Sequence, residues 1–190
     1  MNNNPIMNGN VYEHAIDGWR VSWESSGQHR HWCRQVKDES WKTLLVVMFN
    51  PGSLSGGGVG LSKDLTLRIL REVTGGAELN SFVINLYDYA DPKVQNLFNN
   101  WSLRDGSHLI YDYLNLKDFC GFIMAYGDYQ NWGQQNESIK ERILLVKKSL
   151  SELKQIDLKP NSSGTPKHPV TWQRQKYKPE FIRILKNKTE

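Results

Sequence analysis

A chain of 190 residues, 38% hydrophobic and 11% aromatic with seven Trp, has the composition of one folded domain and not of a disordered tract or two domains. The longest apolar run, Leu44 to Phe49, is far too short to span a bilayer. Two cysteines, Cys33 and Cys120, offer neither a disulfide scaffold nor a zinc or iron-sulfur ligand set. The formal charge of +4 is uneven: from Lys159 onward eight Lys or Arg face only Glu180 and Glu190, a net +6 that leaves −2 for the rest.

In chain order, residues 1–10 are dominated by Asn, Pro and Gly and are expected to be disordered. They lack the basic and apolar regions of a secretory signal, so a cytoplasmic protein with reduced thiols and no membrane association is expected. Val11 to Val36 predicts a β-hairpin: Trp19, Val21 and Trp23 alternate with polar residues, Ser25-Ser26-Gly27 turns the chain, and a second alternating segment follows. Thr43 to Phe49 predicts a strand covered on both faces, ending at Asn50-Pro51-Gly52. A Gly-rich loop then leads to a helix capped by Ser62, with Leu65 and Ile69 inward and Gly75-Gly76 at its end.

Ser81 to Leu86 predicts a second strand, Ser107 to Leu116 a helix, and Gly121 to Tyr126 a third strand closing on Gly127. Asn136 to Leu153 reads as an amphipathic helix and Ile156 to Leu158 as a short last strand. Strands alternating with helices predict a three-layer α/β/α sandwich around a mostly parallel four-stranded sheet, with the N-terminal hairpin appended. Sites in such folds lie at the carboxyl ends of the strands, where Asn50, Asn85 and Gly127 fall. Asn-Pro and Pro-Gly are also ordinary turn pairs, so a plain turn is the competing reading of Asn50 to Gly52.

Five short motifs carry a resemblance: Met48-Phe49-Asn50-Pro51-Gly52, Asp64-Leu65-Thr66-Leu67-Arg68, Val83-Ile84-Asn85-Leu86-Tyr87, Ala125-Tyr126-Gly127 and Thr165-Pro166-Lys167-His168-Pro169. In this order, over roughly residues 30 to 172, they resemble a bacterial and phage family of small domains of unknown function. Its signature strand ends in M-L-N-P-S. More distantly they resemble the uracil-DNA glycosylase superfamily, whose members carry G-I-N-P-G after the first strand, an Asn-bearing strand that reads the base, an A-L-G strand end and a late H-P motif. Met48 stands where those glycosylases have Gly, and the Ser that often follows H-P is absent. Uracil itself is therefore not implied as the substrate.

This resemblance implies a DNA glycosylase that hydrolyses the N-glycosidic bond of an unusual or modified pyrimidine, such as a phage-genome base. It needs no metal or cofactor. Asn50, whose amide does not ionise at neutral pH, would orient the attacking water, and His168 would donate to the carbonyl of the departing base. Asp64 would support the cleft or a second water, or simply favour a helix N-terminus. Asn85 would read the base edge, Phe49 and Tyr87 would stack on it, and Gly127 would join them in the base-binding set. Trp172 or Tyr177 would wedge the duplex. Lys167, Trp172, Arg174, Lys176 and Lys178 would meet DNA, single- or double-stranded, or form a solvated tail. The competing class is a binding module that uses the same cleft without breaking a bond.

Overall fold

A computed structural model of the chain describes residues 9–52, 64–106, 111, 114–129, 135–174 and 176–189. The predicted Gly-rich loop, the Ser62 cap, most of the predicted helix 107–116 and all but the last two of the residues expected to be disordered lie outside these. Among the described residues six strands form one sheet: β1 (Asn10–Ile16), β2 (Trp19–Ser26), β3 (His29–Val36), β4 (Thr43–Met48), β5 (Asn80–Asn85) and β6 (Gly121–Met124). Their spatial order is β1-β2-β3-β5-β4-β6. The β5-β4-β6 half is parallel, whereas β1 to β3 form an antiparallel meander joined antiparallel to β5.

The sheet is thus mixed and six-stranded, which corrects the four-stranded, mostly parallel expectation. The predicted hairpin is three strands because Asp17-Gly18 supplies an additional turn, both residues having positive φ, 51° and 74°. That signal lies inside the segment read as one strand. The expected strand Ile156 to Leu158 is reduced to one parallel bridge between Gln155 and Phe122, after which the chain leaves the edge toward Pro160.

Four helices of six residues or more are described: α1 (Leu65–Gly76), α2 (Val94–Asn99), α3 (Asn136–Ser149) and α4 (Lys178–Thr189). None is long and apolar enough to cross a membrane. Alternation along β4 sorts the core. Leu44, Val46 and Met48 face α1 and α4, where Leu67, Leu70, Val73, Phe181 and Leu185 are buried. Leu45, Val47 and Phe49 face the other way, onto Leu97 of α2 and Ile139, Ile143 and Val146 of α3. Each such aliphatic side chain contributes roughly 1.5–3 kcal/mol by leaving water, and helices on both faces make the expected three layers.

The basic C-terminal segment is a packed helix. Phe181, Leu185 and Thr189 recur every four residues and are buried, and Ile182 lies where a side chain on Gly76 would sit, 2.7 Å from a Cβ placed there. A glycine at position 76 therefore lets α4 approach α1 closely.

Candidate active site

Beyond Met48, at the carboxyl end of β4, the chain turns through Asn50-Pro51-Gly52 and opens a cleft of about 270 Å³ lined by Arg30, Asn50, Asp64, Tyr129 and His168 among others. Asn50 Nδ2 lies 3.0 Å from the Asp91 carbonyl oxygen, 3.2 Å from that of Pro51 and 3.4 Å from that of Tyr89. Only the NH2 end of an amide can face carbonyls, so its orientation is fixed and Oδ1 is left as an acceptor.

Asp64 is the N-cap of α1, its Oδ1 accepting the Leu67 N–H at 3.0 Å; it does the work expected of Ser62. Its other oxygen lies 3.8 Å from Nη1 of Arg30, which is only 2% exposed. Arg30 immediately precedes an irregularity in the β2–β3 pairing: Glu24 opposes Trp32, Ser25 opposes Arg30, and His31 is the extra residue between them.

His168 caps the 3-10 turn Pro169–Gln173, with Nδ1 accepting the Val170 N–H at 3.4 Å. Its proton therefore sits on Nε2 when the ring is neutral. Burial pushes its pKa down to about 4 and the nearby Asp64 charge pulls it partly back, so at neutral pH the ring is an uncharged donor. Asp64→Asn keeps a good helix cap and removes the charge. It is expected to move the His168 pKa below that of the parent protein, as read by an NMR titration of the ring.

Gly127 has φ +82°, and a Cβ there would lie 3.3 Å from His168 Cβ and 3.5 Å from the Tyr129 ring. Gly127→Ala forces a left-handed alanine against both and is expected to cost about 1–2 kcal/mol in urea denaturation. The Tyr129 ring packs on Phe49 with centroids 4.3 Å apart. Asp91 is already engaged by the Lys93 N–H and the Asn96 amide.

The cleft thus unites Asn50, Asp64 and His168, with Gly127 against His168. Asn85 is not in the lining. It pairs in register with Met48, which is, and among the described residues neither end of its buried amide has a hydrogen-bond partner. Phe49 and Tyr87, expected to stack on a base, are each 1% exposed and belong to the core on the α3 face. Alternation sends position 49 into that layer, and Tyr129 is the ring left at the cleft.

Among the expected DNA contacts, Trp172 is fully buried with its Nε1 donating to the Lys167 carbonyl, so it is no wedge. Tyr177, the alternative wedge, is also buried and stacks on Phe181. Lys167 is buried too, its ammonium held by the Pro160 carbonyl and lying 4.9 Å from the Tyr177 ring centroid. Lys178 pairs with Glu72 at 2.6 Å, whereas Arg174 and Lys176 are exposed.

Sequence reasoning missed Arg30 and Tyr129. Arg30 lies in a strand whose alternation reads as solvent-facing until the pairing irregularity is known. Tyr129 had a usable signal, lying two residues after the strand-end glycine.

No curated protein and no solved structure matches the chain. A family model described as "Protein of unknown function (DUF1643)" matches residues 29–170, which include every residue named above as lining the cleft. The match spans well over half of the chain, which therefore belongs to the DUF1643 family.

Proposed function

We propose that the protein is a DNA glycosylase that hydrolyses the N-glycosidic bond of an unusual or modified pyrimidine. The observation that carries this reading is one cleft with an amide oxygen fixed as acceptor, on Asn50, and an uncharged imidazole donor, on His168. When the bond largely breaks before water attacks, the sugar becomes cationic and the base anionic, so catalysis reduces to charge stabilisation and placing one water. Asn50 Oδ1 accepts a hydrogen bond from that water and aims it at the sugar. His168 Nε2–H donates to the carbonyl oxygen of the departing base.

The Asp64 carboxylate favours the cationic sugar, with Arg30 Nη1 lying 3.8 Å from its Oδ2. Tyr129 offers a face for the extruded base. The unpartnered amide of Asn85 supports the same reading, because a buried amide without hydrogen bonds costs about 1–3 kcal/mol and a base edge reaching past Met48 would satisfy it. The resemblance of the Asn50, Asn85, Gly127 and His168 motifs to the glycosylases points the same way. Of the five residues expected to meet DNA, Arg174 and Lys176 are exposed cations that would face its backbone.

The test is incubation with DNA containing uracil, mismatches and modified pyrimidines, followed by alkaline cleavage of abasic sites. Strand breaks at one class of base are expected, and none on any substrate would sink the enzymatic reading. One observation favours the second reading, a cleft that binds a nucleotide or nucleic acid without hydrolysis: Asp64 and Asp91 are both engaged within the protein, so neither is a free base. That binder would retain a base-dependent affinity for the same DNA panel and release no base.

A further inference from the structure

Beside the cleft, the tips of β2 and β3 and the chain just past β5 bring a serine, a histidine and an aspartate into line. Asp88 Oδ2 is 2.8 Å from His31 Nδ1, and His31 Nε2 is 2.8 Å from Ser26 Oγ. An ionised carboxylate can only accept, so Nδ1 carries the imidazole proton of the neutral ring. Nε2 then presents its lone pair, and the Ser26 hydroxyl must donate to it. This order of protons is that of a hydroxyl nucleophile with its base and the group that orients the base.

The surroundings hold the base rigidly and leave the nucleophile reachable. Asp88 Oδ1 accepts the Gly106 N–H at 2.7 Å. A Cβ on Gly106 would lie 2.7 Å from Asp88 Oδ2 and 2.9 Å from His31 Cε1, so only glycine lets the backbone lie across the pair. His31 is 2% exposed, and the parallel ring of His29 packs against it, itself held by the Leu103 carbonyl. Ser26 is half-buried and precedes the exposed turn residues Gly27 and Gln28. None of the three aligned residues lines the cleft of Asn50 and His168.

We propose that Ser26 is the nucleophile of a second, acyl-transfer site, with His31 as its base and Asp88 as a positioning residue, acting on esters whose carbonyl reaches the β2–β3 turn. Ser26 Oγ bonds to the carbonyl carbon as its proton passes to His31 Nε2. The bond from that carbon to the alkoxy oxygen then breaks, and the alcohol leaves with the proton from Nε2. Water, giving a proton to His31, attacks the acylated serine; the carboxylic acid departs and the Ser26 hydroxyl is restored. The sum is ester plus water giving acid plus alcohol, with no redox partner.

The test uses the full chain with a fluorophosphonate probe, whose P–F bond is replaced by a P–Oγ bond, and with p-nitrophenyl acetate. One adduct per chain, mapped to Ser26 by mass spectrometry, is expected. Ser26→Ala, a small change at a half-buried position, should abolish both the adduct and the catalysed ester hydrolysis.

Asp88→Asn offers an NH2 to His31 Nδ1 and forces the proton onto Nε2. The labelling rate should fall on the order of 10⁴-fold, and Asp88→Glu, which again offers a carboxylate to Nδ1, should recover part of it, a rescue that a purely structural role would not give. His168→Gln should label like the parent protein, so failure here and failure of the glycosylase reading are seen separately. Labelling that avoids Ser26, no labelling at all, or ester hydrolysis unchanged in Ser26→Ala overturns the proposal.

Discussion

Asn50→Ala is expected to lower single-turnover base release by a hundredfold to a thousandfold while leaving DNA affinity within a few-fold of the parent. The size follows from removing one preorganised polar group that acts on the reacting atoms, about 3–4 kcal/mol of transition-state stabilisation. On the proposed mechanism affinity persists, because Asn50 would act on the water and not on the phosphate backbone. A parallel loss of affinity and rate would mean that Asn50 binds substrate instead of orienting water.

Asn50→Asp separates the two ends of the same side chain. A carboxylate cannot donate to the Pro51, Tyr89 and Asp91 carbonyls, and it places negative charge against three oxygens within 3.4 Å of the present Nδ2. Each lost bond to a group left without a partner costs about 1–3 kcal/mol. The variant should therefore be less stable in urea than Asn50→Ala, although it is closer to the parent in shape. Equal stability would show that the three carbonyls do not hold the amide.

The same residue explains what could be read from the sequence. The apolar runs of β4, β5 and β6 are nearly unbroken, and a fully covered strand leaves that trace wherever it sits in a sheet. Asn50, Asp64 and His168 were legible because each stands where an element begins or ends, and element ends in α/β folds converge. Helix α4 was not, since Phe181 and Leu185 lie among cations whose long stems hide a two-residue stripe. Arg30 depends on the pairing irregularity at His31, which exists only between two strands and leaves no pattern in either. Asn85 was placed at the end of the right strand, but whether a side chain passes Met48 is decided by packing and not by spacing.

His168 gives the most sharply signed pH dependence. Its pKa is about 4 in the folded protein against the ordinary 6.5, lowered by burial. As pH falls from 6.5 to 4 the unfolded chain takes up a proton that the folded one refuses, so stability must decline across that window. The contribution is fully present above 6.5 and gone below about 4, and the gap amounts to roughly 3 kcal/mol at most. Urea denaturation of the parent and of His168→Gln at pH 7 and at pH 4.5 isolates it from the carboxylates that titrate nearby. The parent should lose more stability than the variant on acidification, and equal losses would show that the ring is solvated. Catalysis follows the same sign: a neutral donor serves unchanged from pH 8 down to about 5, whereas an imidazolium acid would lose activity as the pH rose through its pKa. A plateau above pH 5 that His168→Gln lowers by the hundredfold to thousandfold expected of one lost donor would identify the uncharged ring as the group that meets the leaving base.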